Sequence, residues 1–150
     1  MPRKYELKTR AESVEETRRR IVEAAVELHG TICPAHTTVS AIAERAGVQR
    51  QTYYRHFPEE RGLFEACSGL WQERYPPPDA SGLRSVADPR ERLRLGLAGL
   101  YGFYEAGEAM LANIMRDAAV HELTAETARD RKSTRLNSSH YALSRMPSSA

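Results

Sequence analysis

Apolar residues fall at three- and four-residue intervals along most of the chain, the spacing that lines one face of an α-helix. Ile21, Val22, Ala25 and Leu28 predict a first helix over about 14–29, and Val39, Ile42, Ala43 and Ala46 a second of about two turns. Val48, Tyr53 and Phe57 anchor a short third helix over about 49–57, and Leu63, Phe64, Cys67, Leu70 and Trp71 a fourth over about 61–75. Leu93, Leu97, Leu100 and Tyr104 make the apolar face of a fifth, and Met110, Leu111, Ile114, Met115 and Ala118 trace that of a sixth. The expected fold class is all-α.

Local punctuation agrees with those bounds. Thr38 offers a side-chain oxygen just ahead of the second periodic run, which suits an N-cap. Gly47 follows the last apolar residue of that run, where a left-handed backbone closes a helix without steric cost. Pro76, Pro77 and Pro78 stop the fourth helix, so 76–86 reads as a linker. Asp88 with Pro89 marks a clean helix start, and Gly107 marks a break. Gly96, Gly99 and Gly102 recur at every third position, each costing up to about 1 kcal/mol against Ala. They point either to a close helix contact or pocket floor, or simply to a weak helix.

The segment TVSAIAERAGVQRQTYYRHF, residues 38–57, carries the chemistry. Its apolar contacts are used by Val48, Tyr53 and Phe57, which leaves Arg50, Gln51, Thr52, Tyr54, Arg55 and His56 largely on the outer side. A helix, a glycine turn and a second short polar helix make a helix-turn-helix, whose second helix enters the major groove of DNA. Arg pairs bidentately with guanine and Gln with adenine, and Thr presents a hydroxyl and a methyl to base edges. Tyr54 and His56 can donate to phosphates, which sets register without reading sequence. A solvated surface helix would explain the polarity alone, but not the cap, the turn and the polar helix together.

Over about 15–120 the chain resembles the TetR/AcrR family of transcriptional regulators, most closely across ETRRRIVEAAVELHG, TTVSAIAERAGV and TYYRHFPEERGLFEA. The resemblance implies a helix-turn-helix DNA-binding domain at 14–75, preceded by a flexible basic arm at 1–13. Behind it, 76–131 would be part of a helical ligand-binding and dimerisation domain, an incomplete regulatory bundle. It implies a ligand-responsive repressor of palindromic double-stranded DNA, a homodimer when intact, with no cofactor. Carried over by position, Thr38, Ser40, Arg50, Gln51, Thr52, Tyr54, His56 and Arg61 would face DNA, and the helix over 61–75 would be the lever between inducer and DNA. Trp71, Tyr101, Phe103, Tyr104, Met110 and Ile114 are candidates for an apolar inducer cavity, against the plainer alternative of core packing. Two positions depart from the family pattern. Gln49 stands where a short capping residue is usual, and Glu59 and Glu60 stand where a Lys commonly meets phosphate, which implies weakened nonspecific affinity.

Charge divides unevenly along the chain. Residues 1–61 carry 11 Lys and Arg against 9 Asp and Glu, residues 62–128 carry 6 against 10, and residues 129–150 carry 5 against 1. The acidic middle is therefore not expected to touch DNA. Arg3, Lys4, Lys8 and Arg10 could follow a phosphate backbone, and so could one of Arg18, Arg19 and Arg20 or the adjacent Thr17 near the start of the first helix. With 41% hydrophobic residues, 150 residues can bury the core of one domain, or of a small domain with part of another. No apolar run of membrane-spanning length and no secretion signal is present, so a cytoplasmic protein with reduced Cys33 and Cys67 is expected. His29, Cys33 and His36 are metal-ligand types but lack a fourth partner, so no metal is expected.

No nucleophile-elbow, P-loop, dinucleotide or zinc-protease motif occurs, and an enzyme is not expected. Two other readings stay open: a constitutive helix-turn-helix protein without an inducer, and a helical small-molecule-binding protein or enzyme that shares only the three-helix start. The last segment, KSTRLNSSHYALSRMPSSA, lacks helical periodicity and is expected to be disordered. It resembles a translated sequencing-adapter peptide, so 132–150 is expected not to be native. The helices that would pair two subunits would then be missing, and the 150-residue chain is not expected to dimerise stably.

Overall fold

The computed structural model describes residues 3–129, with residues 3–9 described by their backbone alone. Expectations for 132–150 lie outside the described residues. The described residues form α1 (Arg3–Thr31), α2 (Val39–Ala46), α3 (Arg50–His56), α4 (Glu60–Arg74), α5 (Pro89–Asp117) and α6 over 122–129, with no strand among them. Short 3-10 turns lie at Pro34–His36 and Ser81–Ser85. No helix among the described residues is long and apolar enough to cross a membrane.

The centre of the molecule is the apolar face of α1. Ile21 and Ala25 are fully enclosed there, and α1 packs against α2, α4 and α5. Ile42 and Ala46 of α2, Tyr53 of α3 and Phe57 at its end, Leu63, Cys67 and Trp71 of α4, and Met110 of α5 close around it as one hydrophobic cluster. The cluster crosses the expected domain boundary at 75/76, because Met110, with Ile114 against it, packs on the DNA-binding helices directly.

Three expectations need correction. First, α1 begins at Arg3, so the arm expected to be flexible over 1–13 is helical from that residue. Residues 10–16 are exposed and carry no packed face. Their Glu, Arg and Ala are good helix formers, so the helix propagates beyond the stretch that periodicity marks. Second, α5 runs unbroken through Gly107. A Cβ at 107 would lie 3.1 Å from Trp71 Cζ2, so this glycine makes room for an indole rather than ending a helix. The sixth periodic run is the second half of α5.

Third, Leu93, Leu97, Leu100 and Tyr104 are exposed rather than packed. The helix instead buries the adjoining line of Gly107, Met110, Asn113 and Asp117. Gly96 and Gly99 back onto the linker: Cβ atoms there would lie 3.3 Å from Leu83 Cδ1 and 3.3 Å from Pro78 Cβ. As its sequence suggests, α5 starts on Asp88, whose Oδ1 accepts the Arg90 N–H at 3.0 Å.

Polar side chains of α5 fasten it to the end of α1. Asn113 Nδ2 donates to the carbonyls of His29 at 2.9 Å and Gly30 at 3.0 Å, satisfying acceptors that the helix end leaves open. Asp117 accepts the Ala35 N–H at 2.8 Å, so α5 also holds the turn that leads into α2.

Candidate nucleic-acid interface and the cleft behind it

The α2–turn–α3 unit is built from local interactions. Thr38 has extended backbone dihedrals, and its Oγ1 accepts the Ala41 N–H at 3.2 Å, capping α2. Gly47 closes α2 at φ 64°, ψ 39°, and the Val48 N–H reaches back to the Ala43 carbonyl at 2.9 Å. That left-handed step sets the angle between the helices, and only glycine takes it without strain. Val48 then drops against the core, and buried Tyr53 and Phe57 hold α3 down. Gln49 makes no side-chain cap, as its length suggests.

With Tyr53 turned inward, α3 presents Arg50, Gln51, Tyr54 and Arg55 to solvent, and Thr52 and His56 half-buried at its edges. Ser40 is exposed on the first turn of α2, beside the exposed cap Thr38. Seven of the eight residues assigned to DNA therefore lie on α2, its cap or α3, those of α3 close together on one short helix. Burial, with the charges of Arg55 and Arg18, holds the His56 imidazole below its ordinary pKa and so disfavours its charged form.

Arg61 is the exception. Its Nη1 donates to Glu126 Oε2 of α6 at 2.6 Å, and the side chain lines a cleft behind the DNA-binding unit. The expected phosphate contact is thus engaged in an ion pair that ties α4 to α6. Among the arginines of α1, Arg19 is tied to Glu16 at 2.9 Å and Glu23 at 3.1 Å. Arg18 lies 4.4 Å over the Phe57 ring, a cation–π contact that braces the end of α3. Arg20 stands at the turn, with Nη1 3.9 Å from where a Gly47 Cβ would lie. Exposed and beside the helix-turn-helix, Arg20 is the member of the cluster placed to reach a phosphate.

The cleft has a volume of about 420 Å³ and runs along α4 from Arg61 to Tyr75. Trp71 and Phe103 line it, and a smaller space of about 30 Å³ beside it is lined by Trp71, Met110 and Ile114. Tyr101 and Tyr104, expected in the same cavity, line neither space and are exposed. Aromatic content marked them, but the helical register turns them outward. Trp71 and Tyr75 stack with ring centroids 4.1 Å apart. The Trp71 indole N–H, buried beside Gly107, is the one buried side-chain polar atom among the described residues without a hydrogen-bond partner. Leaving such a donor unmet costs about 1–3 kcal/mol.

The metal-ligand types noted near the end of α1 separate. Cys33 Sγ lies 3.1 Å from His36 Nδ1, whereas the His29 ring packs on Phe64 with centroids 5.4 Å apart. No cluster of three or more ligand-type residues suited to a metal occurs among the described residues. Both cysteines are free and buried, and burial pushes the Cys67 thiol up to about 12.

Periodicity alone missed Asn113, Asp117 and His121. The first two sit at an i, i+4 interval within the buried line of α5, where a polar residue signals a specific partner. Burial alone would raise the Asp117 carboxyl, but hydrogen bonds from the Ala35 amide and from the Cys33 and Arg116 side chains hold it below its ordinary value. His121 stacks on Phe64 at 5.4 Å opposite His29, and its Nε2 lies 3.5 Å from Glu60 Oε1.

Residues 21–67 match the sequence model of bacterial regulatory proteins, tetR family. The match begins in α1, contains all of α2 and α3 and ends within α4. A solved structure from Clostridium perfringens, described as a fatty acid metabolism regulator, is similar in fold with a TM-score of 0.53 and 18% sequence identity. The similarity covers 87% of this chain and 74% of that one. No curated protein matches the chain in sequence.

Proposed function

We propose that the chain, whose residues 21–67 match the model of bacterial regulatory proteins, tetR family, is a sequence-specific transcriptional repressor, acting in the cytoplasm, whose hold on DNA is released by a small molecule. The observation that carries the DNA-binding part is the face of α3. Arg50, Gln51 and Tyr54 stand exposed on a helix whose opposite side is fixed by Tyr53, Phe57 and the Gly47 turn. Arg50 and Gln51, in the first turn of α3, read base edges. Thr52, Tyr54 and His56, with Thr38 and Ser40 of the α2 start and Arg20 of α1, position the helix on phosphates. Arg61 belongs to the regulatory side.

Ligand response is supported by the cleft behind α4. This helix carries Phe57-side packing at its start and cleft-lining Trp71 and Tyr75 at its end. A ligand that favours one placement of α4 over another shifts the population of DNA-competent molecules by its differential affinity. Two copies held about one DNA turn apart would read a palindromic operator.

The test is an Arg50→Ala substitution, with binding measured on DNA selected by the parent chain. A loss of about 1–3 kcal/mol, with relaxed preference at one base position, is expected. An enzyme or carrier that merely shares the three-helix start would bind no selected DNA in the first place.

A further inference from the structure

We propose that the cleft along α4 takes a lipophilic organic cation, a single positive charge on a bulky apolar body. This deepens the ligand-responsive reading and rests on it for the regulatory consequence, though not for binding itself. Its two ends differ in chemistry. At one, Trp71 and Tyr75 stack at 4.1 Å, with Phe103 beside them on the cleft wall. Toward the other stand Arg61 and Glu65, ten and six residues before Trp71 on α4, with Glu126 of α6.

Charge decides which ligand fits. Arg61 and Glu126 pair at 2.6 Å and neutralise each other, which leaves the Glu65 carboxylate in excess, one arginine against two glutamates. Hydrogen bonding from Arg61 also holds the Glu126 carboxyl below its ordinary value, so it stays ionised. An anionic amphipath would meet that excess and would have to displace Glu126 from Arg61 to gain a partner. A cation is attracted by the carboxylates and by the negative faces of the aromatic rings, which draw a cation from about 6 Å. The wider surface has the same sign, with 6 Lys and Arg against 10 Asp and Glu over residues 62–128. A cation that draws Glu126 away from Arg61 loosens the tie between α4 and α6, so binding and the position of α4 are coupled.

Trp71 is the single tryptophan of the chain and lines the cleft, so its fluorescence reports occupancy at this place. The probes are tetraphenylphosphonium and tetraphenylborate, alike in shape and opposite in charge. Saturable quenching by the phosphonium is expected, with a Kd at least about ten-fold lower than for the borate, as one favourable against one unfavourable partly screened charge contact implies. Glu65→Lys, a change at an exposed position, should abolish that preference while helical circular dichroism is retained.

Equal or tighter binding of the borate, no saturable quenching by the phosphonium, or an unchanged preference in Glu65→Lys would overturn the cation site. DNA binding is followed separately in the same titration. A phosphonium that quenches as expected but leaves the DNA complex intact supports the site and removes the ligand-responsive reading instead.

Discussion

Gln49 stands at the entry to α3 with extended backbone dihedrals, φ −78° and ψ 151°, and gives the helix amides no side-chain acceptor. Thr38 has the same backbone class at the entry to α2 and does supply one. Gln49→Ser places a hydroxyl within reach of the open amides of α3 and should stabilise the protein by about 0.5–1 kcal/mol, as restoring a cap does. Thr38→Ala should cost about 1 kcal/mol for the opposite reason. Gly47→Ala has space around its Cβ, the nearest atom being 3.9 Å away, yet should still cost about 1–2 kcal/mol because φ 64° strains an L-residue. Urea denaturation of the three variants checks the order. A Gly47→Ala variant as stable as the parent would show that the turn is not fixed in this conformation.

At the scale of the elements, Phe64 of α4 packs on His29 of α1 and on His121 at the entry to α6, with both ring pairs at 5.4 Å. Burial first, and then the nearby His121, push the His29 pKa down to about 4, against a smaller upward pull from Asp117. Glu60 faces His121 at 3.5 Å from the start of α4. With its folded pKa depressed, His29 is neutral in the native protein, while the unfolded chain protonates it below about 6.5. The stability it contributes is intact at pH 7 and falls as pH drops from about 6.5 toward 4, because the unfolded state binds the extra proton. By pH 5 the loss from this group should reach roughly 2 kcal/mol. Unfolding free energies from urea titrations at pH 7 and pH 5 should differ by that much more in the parent chain than in His29→Leu; equal differences in the two proteins would remove His29 as the cause.

The same scale shows what could be read from the sequence. The cap Thr38 and the turn Gly47 are legible because their partners, Ala41, Ala43 and Glu44, lie a few residues away, and the inward Tyr53 and Phe57 because a four-residue spacing puts them on one side of a helix. Gly107 was read as a break because propensity is a local quantity. The ring that requires the glycine, Trp71, comes from another helix and lies 3.1 Å from the missing Cβ. Arg61 was assigned to phosphate by its charge and place after α3, while its actual partner, Glu126, is 65 residues away. The start of α1 is not marked by periodicity because residues 10–16 are exposed, so no buried apolar face records a helix that their Glu, Arg and Ala favour. Tyr101 and Tyr104 were misplaced because aromatic content does not say which side of a long helix is covered.

Across the whole molecule, α4 lines the cleft and also gives Leu63, Cys67 and Trp71 to the hydrophobic cluster that holds Tyr53 and Phe57. α5 adds a second connection, since Asn113 and Asp117 grip the end of α1 and the turn before α2. Displacing either helix therefore moves the support of the helix-turn-helix. Leu93, Leu97, Leu100, Tyr101, Tyr104 and Met115 leave an open apolar stripe along α5, a surface of the kind that another helix covers.

The most direct measurement is selection of bound sequences from a random double-stranded DNA pool by the purified chain and by its Arg50→Ala variant, followed by affinity on the enriched sequence. The parent should enrich a defined half-site. The variant should bind it about 5- to 150-fold more weakly, the equivalent of 1–3 kcal/mol, with lost preference at one position and unchanged unfolding. No enrichment by the parent, or an unaltered sequence preference and affinity in Arg50→Ala, would contradict the assignment of α3 as the DNA-reading helix.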